Sequence, residues 1–385
     1  LKKSTLEVVE YKRLGDLYIA GGIKKKAILY YKKAAYRSAE FLKSDPKNIL
    51  LIMQTANLYN TTARYLIEIH RYKAAKKILK KSLAVTQEQA GAYYLQGLIY
   101  IAKKKYNLVT KQYDTAVKHF LGNLALNKRD FTSNYYLGRI FEYRKQFKKA
   151  IAAYLSALQS QPNNIQAKYS LGVTYYKQKK FDKALKYLTS VNDIKSDNQY
   201  TLTTYYLGRA YYAKKLFAQA VSALQSFIKI QASYPNGHLY LGKAATAAQQ
   251  YKVAIGAYKE YLALRPTDAQ VHFELGALYY KISLLDNALV IYKKTASLGM
   301  DDVKLEIATG RIYEDKGWVA KAIRLYQQIV MVYPKNSEIL ARLGLLYAKR
   351  GQSEDAISTI NKAISIERTN GKLYFYLAKA YIDVS

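Results

Sequence analysis

Two pairs of residues, Tyr135 with Arg139 and Tyr205 with Arg209, stand four apart, the separation that stacks side chains one turn from each other on a helix. A cation beside a phenol suits the capture of an acidic, partly apolar peptide, and each such contact is worth about 0.5–2 kcal/mol depending on how dry it is. Nothing comparable points to catalysis. The four histidines, His70, His119, His238 and His272, fall at no triad or metal-ligand spacing, and His238 and His272 simply repeat one another 34 residues apart. Cysteine is absent, which excludes a thiolate nucleophile, a thiolate zinc site and a disulfide framework. No phosphate-cradling G-x-x-x-x-G-K run occurs, and Gly21-Gly22 reads as a turn between helices. Asp301-Asp302 reads as a helix start, where carboxylates meet free amides and the positive end of the dipole, before it reads as a metal pair. Asn60-Thr61-Thr62 is a lone glycosylation sequon. The expectation is a non-enzyme without metal or cofactor.

The elements that position these residues must come from a chain of 385 residues, half of them hydrophobic and 14% aromatic. That is enough apolar surface for a packed core in spite of 62 Lys+Arg against 27 Asp+Glu, so a disordered polyelectrolyte is excluded. No stretch approaches the roughly 20 consecutive apolar residues of a spanning helix. The opening Leu1-Lys2-Lys3-Ser4-Thr5 carries neither an initiator methionine nor a secretory signal and reads as a fragment or mature form, with an upstream signal, anchor or catalytic domain left open.

The length would suggest two or three ordinary domains, but the sequence repeats. Leu-Gly recurs at Leu137-Gly138, Leu171-Gly172, Leu207-Gly208, Leu241-Gly242, Leu275-Gly276 and Leu343-Gly344, with Thr309-Gly310 and Leu377-Ala378 in the remaining slots. The step is 34 residues, except for 36 between Gly172 and Gly208. An aromatic follows three residues after each glycine, Ala245 excepted, and an alanine follows after twelve, with a bulky residue four further on, as at Ala150 and Tyr154. Each unit is therefore two amphipathic helices, the first with a small residue that lets a neighbour approach and the second with alternating small and large contacts. Turn clusters such as Gln161-Pro162-Asn163-Asn164 and Arg265-Pro266-Thr267-Asp268 separate the units, proline stopping one helix and Asn or Asp capping the next.

This pattern resembles the tetratricopeptide repeat family, whose unit is a 34-residue helix-turn-helix. The resemblance implies an all-α, right-handed superhelical solenoid of about ten units plus a partial C-terminal one. Residues 131–370 hold seven regular units and 371–385 begin another. Residues 1–130 hold about three irregular ones, with a long helix running to about Ser44 and an insertion near 103–110. In the family, first helices line a concave groove, and positions 2, 5, 9, 12 and 13 of the unit face it, counting Leu-Gly as 7 and 8. Position 5 is then Tyr135, Tyr169, Tyr205 and Phe273; position 9 is Arg139, Arg209, Lys243 and Arg311; position 12 is Tyr176, Tyr212 and Tyr280. Because successive residues lie about 100° apart, the second members of Tyr175-Tyr176, Tyr211-Tyr212 and Tyr279-Tyr280 must point away from the core that takes the first. The carboxylate clamp of some members needs asparagine at position 9, which never occurs here.

The resulting expectation is a non-catalytic scaffold that binds other proteins, foremost acidic or extended segments, in a basic, tyrosine-rich groove. One alternative is a structural subunit of a large assembly, such as a bacterial envelope or motility machine, using several faces. The other is an electrostatic binder of nucleic acid or anionic membrane, since a charge of +35 steers polyanions at low salt. Nucleic acid ranks lowest, because no zinc-finger, RRM or helix-turn-helix signature is present. The oligomeric state and the compartment, cytoplasmic or bacterial envelope, are not encoded in these features.

Overall fold

The computed structural model describes residues 2–87, 89–192, 201–300 and 302–382, and among them every regular element is a helix. The chain divides into two compact units, Leu1–Lys195 and Ser196–Ser385. The first holds α1 (Lys2–Ala20), α2 (Lys24–Ser44), α3 (Ile49–Glu68), α4 (Tyr72–Val85), α5 (Ala90–Ala102), α6 (Tyr106–Leu126), α7 (Phe131–Tyr143), α8 (Phe147–Ser160), α9 (Ile165–Lys177) and α10 (Phe181–Asn192). The second holds α11 (Leu202–Ala213), α12 (Phe217–Ile230), α13 (Pro235–Ala247), α14 (Tyr251–Leu264), α15 (Ala269–Lys281), α16 (Leu285–Ser297), α17 (Val303–Asp315), α18 (Val319–Val332), α19 (Ser337–Lys349), α20 (Ser353–Ile366) and α21 (Gly371–Ile382). Odd-numbered helices are the first of each hairpin, even-numbered the second. Each helix from α1 to α20 packs on its hairpin partner, and within each unit several first helices also touch the next first helix, as α3 with α5 and α5 with α7.

The hairpins close on one recurrent contact. The small residue of the first helix lies under a bulky side chain sixteen residues later: Gly97 under Tyr113, Gly242 under Tyr258, Gly344 under Ile360. Alanines at the matching place in the second helix, Ala150, Ala254 and Ala322, are wholly buried, so two helices meet at backbone distance along a dry seam.

First helices begin with side-chain caps: Asn48, Asp130, Asn164, Asp268, Asp302 and Asn336 each accept a backbone N–H two or three residues ahead. Asp302 is thus a cap, while its neighbour Asp301 lies outside the described residues, as does most of the stretch holding the two extra residues before Gly208. The insertion expected near 103–110 is placed differently. Tyr113 seats on Gly97 at the standard separation, and the turn at Lys103–Lys105 is as tight as the others. The added residues instead lengthen the C-terminal part of α6, because the glycine contact fixes the register of the hairpin before the helix runs on.

His238 and His272 each donate Nε2–H to a backbone carbonyl six residues back, Ala232 at 2.7 Å and Pro266 at 3.0 Å, and so lock successive inter-unit turns. Asn60 of the sequon is engaged within the fold, donating to Gln89 Oε1 at 2.9 Å and accepting from Ser82 Oγ at 2.9 Å.

Candidate functional site

The residues singled out by spacing do not all lie where the resemblance implies. Tyr135 and Tyr205 are only 7% and 3% exposed, so their rings are core and are not presented to a partner. Tyr135 stacks on Phe131 with centroids 5.7 Å apart and leans on Tyr154; Tyr205 is enclosed by Tyr206, Phe227, Tyr234 and Tyr240. The reason is the stacking of hairpins: position 5 faces a seam that the second helix and the residues leading into the next hairpin fill.

What each buried tyrosine offers is its hydroxyl. Arg139 Nη1 donates to Tyr135 OH at 3.2 Å, and Arg209 donates to Tyr205 OH at 3.1 Å and to Tyr240 OH at 2.8 Å while lying 4.2 Å from the Tyr240 ring centroid. The four-residue pairing is therefore real, with the tyrosine as support and the arginine as the presented group. Arg139 and Arg209 are half-buried, less exposed than expected.

In the first unit the structure adds residues that spacing did not single out. Arg64 on α3 lies 4.7 Å over the Tyr65 ring and donates to Tyr65 OH at 3.1 Å. Its guanidinium also bonds the Tyr136 phenol, which Arg139 adjoins as well, and Tyr94 on α5 packs 4.7 Å from Tyr136. Two arginines from α3 and α7 thus meet around phenols of three adjacent first helices. Burial pushes the Tyr94 and Tyr136 hydroxyls above their ordinary ionisation range, although both guanidiniums oppose this at Tyr136, so the phenols stay neutral at physiological pH. Neither Arg64 nor Arg139 forms an ion pair among the described residues. Glu68, one turn beyond Arg64, is held by Lys24 at 2.9 Å; Glu142, on the helix of Arg139, is taken by Tyr154 OH at 2.9 Å and Lys177 at 2.6 Å. Counting from Ala63 as the small residue of its hairpin, Arg64 occupies position 9 and Tyr94, counted from Gly97, position 5. For Arg64 the signal lies in a repeat that lacks the signature aromatic, Leu66 standing three residues after Ala63, whereas the repeat of Tyr94 keeps its own at Tyr100.

In the second unit two of the basic positions, Lys243 and Arg311, are internally compensated. Arg311 on α17 pairs with Glu338 on α19, which also accepts from Arg342 Nε at 3.2 Å, while Arg342 Nη1 reaches Glu314 at 3.1 Å and Tyr326 OH donates to Glu314. Lys243 faces Glu274 at 3.9 Å, and that carboxylate accepts from Tyr258 OH at 2.7 Å. The expected row of free cations at Lys243 and Arg311 is therefore absent, because the following first helix brings a carboxylate opposite each. Phe273 is half-buried and stacked on Tyr292 at 5.5 Å. Among the second members of the doublets, Tyr176 and Tyr212 lie half-buried against Phe181 and Phe217, both at 5.8 Å, and Tyr280 bonds Asp315, burial and that bond pushing its hydroxyl up to about 12. Tyr169 is half-buried. No group of three His, Asp or Glu residues close enough to hold a metal occurs among the described residues, and no described helix is long and apolar enough to cross a membrane.

The geometry is that of stacked helical hairpins, and sequence models of such repeats match along it. Models described as TPR repeat and tetratricopeptide repeat cover residues 138–179, 165–198, 204–236, 239–302 and 307–371. The chain belongs to the tetratricopeptide repeat family. No curated protein matches it significantly. Among solved structures, MamA is 24% identical over 45% of this chain and 94% of its own, with a TM-score of 0.42. YrrB, titled a TPR protein with an unusual peptide-binding site, is 17% identical over 49% of this chain and 96% of its own, at 0.45. The C-terminal part of a TPR repeat-containing protein from Cytophaga hutchinsonii is 19% identical over 65% of this chain and 98% of its own, at 0.46. Tetratricopeptide repeats form protein-interaction scaffolds, and this chain is one of them.

Proposed function

We propose that the wall formed by the first helices of the first unit binds an acidic segment of a partner protein, with Arg64 and Arg139 receiving its carboxylates. The observation that carries this reading is the contrast between two arginine pairs, one in each unit. Arg311 and Arg342 are neutralised by Glu314 and Glu338, whereas Arg64 and Arg139 share a phenol-lined niche without a carboxylate in contact. Half-buried guanidiniums lose part of their hydration and regain it best from a charged acceptor. The neutral phenols add apolar area and donors, which favours a segment mixing acidic and aromatic or aliphatic residues. Tyr169 and Tyr176 on α9 extend the same wall and are the places for further contacts along an extended segment.

The test is titration of the full chain with a fluorescent peptide of alternating glutamate and leucine. Arg64→Ala and Arg139→Ala are each expected to weaken binding about tenfold or more, the range for a lost charge-assisted hydrogen bond. Arg311→Ala is expected to leave it unchanged. Equal effects of all three, or none from the first two, would remove the niche from consideration.

A further inference from the structure

The turn inside each hairpin ends its first helix with one residue in the left-handed backbone region. In the first unit these residues are Gly22 (φ 72°), His70 (60°), Lys104 (55°), Lys145 (58°) and Lys179 (59°); in the second they are Lys215, Gln249, Ser283, Gly317 and Gly351. The hydrogen bonding is the same throughout. Lys104 N–H reaches Ile101 O at 2.9 Å and Lys105 N–H reaches Tyr100 O at 2.9 Å, just as Gly317 reaches Glu314 at 3.0 Å and Trp318 reaches Tyr313 at 2.8 Å. Glycine meets this requirement without strain, as it does at Gly317 and Gly351, whereas lysine adopts it against the clash of its Cβ. Four consecutive hairpins, from α5–α6 to α11–α12, nevertheless carry lysine there, and three of them belong to the first unit.

These lysines are exposed, and Lys104, Lys145 and Lys179 make no ion pair among the described residues. They do not stand alone. Taking from each turn the left-handed residue, the one before it and the four after it, the first unit has fifteen Lys or Arg against a single acid, Asp182, and two of the fifteen, Lys24 and Arg144, are paired from outside these windows by Glu68 and Asp114. The same windows in the second unit hold six against three. All of these turns lie at one end of the hairpins, so stacking aligns them into an edge separate from the Arg64–Arg139 niche, which lies on the helix flanks.

We propose that this edge of the first unit docks on an anionic membrane surface. Lysine is a compact point charge suited to a diffuse field of headgroups, where each contributes to adsorption and no bidentate fork is needed. Apolar residues stand among the charges: Ile23 is 46% exposed beside Lys24, and Tyr106 is 57% exposed beside Lys105. Side chains of this kind settle at the headgroup level. Single-stranded nucleic acid fits the edge poorly, since bases need a row of open aromatic faces and only Tyr106 offers one among the described residues of these turns; Tyr72, Phe147 and Phe181 are half-buried, the last packed on Tyr176.

The experiment is flotation of the full chain with vesicles of roughly seven parts phosphatidylcholine to three parts phosphatidylserine, against pure phosphatidylcholine. The wild type is expected to float with the anionic vesicles only and to be released as ionic strength rises from about 0.05 to about 0.5 M. Lys104→Gly, Lys145→Gly and Lys179→Gly together are expected to lower vesicle affinity about a hundredfold, near fivefold per charge, while relieving strain and so keeping the fold. The double variant Gln249→Gly, Ser283→Gly makes the same backbone change without removing charge and is expected to bind as the wild type does. Failure of the wild type to float, equal binding to neutral vesicles, or an unaffected triple variant would overturn the proposal. So would a duplex or single-stranded oligonucleotide bound more tightly than the anionic vesicles at the same salt. Loss of flotation on Arg64→Ala with Arg139→Ala, the turn lysines being intact, would place the contact in the niche and overturn it too. The peptide titration is read separately, so either idea can fail alone.

Discussion

Tyr154 lies directly over the backbone of Gly138: a methyl group placed on that glycine would stand 2.5 Å from Tyr154 Cε1. The ring has nowhere to go, being fully buried with its hydroxyl bonded to Glu142. Gly138→Ala is therefore expected to lose about 1–3 kcal/mol of stability in urea unfolding, even though alanine is the better helix former. Gly256, in the interior of α14, has open space where a methyl group would project, with nothing within 4 Å, so Gly256→Ala is expected to gain up to about 1 kcal/mol. Equal responses at the two glycines would show that the hairpin contact is not what fixes glycine.

The left-handed lysines should report their strain directly. Lys104→Gly, Lys145→Gly and Lys179→Gly are each expected to raise stability by about 0.5–1 kcal/mol, as relief of the Cβ clash outweighs the extra freedom of the unfolded chain. Gly317→Lys should do the reverse by a similar amount. Thermal melts of the single variants at fixed ionic strength separate this backbone effect from changes in charge repulsion.

The acid limb of stability should depend on Glu338. Burial draws its pKa upward, but the hydrogen bond from Arg311 and the charges of Arg311 and Arg342 outweigh that and hold it below its ordinary 4.5. A carboxylate depressed in the folded state contributes stability that is present above its unfolded pKa and is lost as pH falls through the folded one. The loss thus begins near pH 4.5 and deepens below it. Glu338→Gln is expected to flatten this limb in unfolding curves collected from neutral to acid pH, and an unchanged slope would mean that the network is too wet to matter.

At the alkaline end the buried phenols govern. Tyr113, Tyr258 and Tyr326 are shifted upward from 10.0, chiefly by burial, with Tyr94 among the causes at Tyr113 and the carboxylates of Glu274 and Glu314 assisting at the other two. A phenol that ionises more readily in the unfolded chain lends stability fully present below pH 10 and lost as pH rises beyond it. Phenolate absorbance should therefore appear in two groups, exposed tyrosines titrating reversibly and the seated ones only together with loss of helical ellipticity.

The repeat is legible because its register is enforced by a local contact: a glycine and a ring sixteen residues apart in one hairpin leave a mark at fixed spacing, and the Asn and Asp caps leave another. The pairing of Arg139 with Tyr135 can be read as a helical spacing, but the burial of Tyr135 cannot, since it is set by Phe131, Tyr136 and Tyr154 closing around the ring. Likewise nothing near Arg311 in sequence announces Glu338, 27 residues away, or near Lys243 announces Glu274; whether a cation is free depends on the helix that stacks next. Arg64 escapes the pattern because its hairpin keeps the alanine but not the aromatic. The place of the added residues in α6 is misleading for a related reason, as Ala116 and Phe120 mimic the small-and-bulky pair that Val109 and Tyr113 supply.

The lysine-tipped turns also bear on how the protein behaves alone in solution. Lys104, Lys145 and Lys179 have no carboxylate in an ion pair with them among the described residues, and with their basic neighbours they repel one another and gather a cloud of counterions, whereas Lys243, Arg311, Lys316 and Arg342 of the second unit each face a carboxylate. Dilute buffer should therefore loosen the first unit ahead of the second, and modest salt should bring their melting together, so the chain carries within itself a half that is calmed by ions and a half that is indifferent to them.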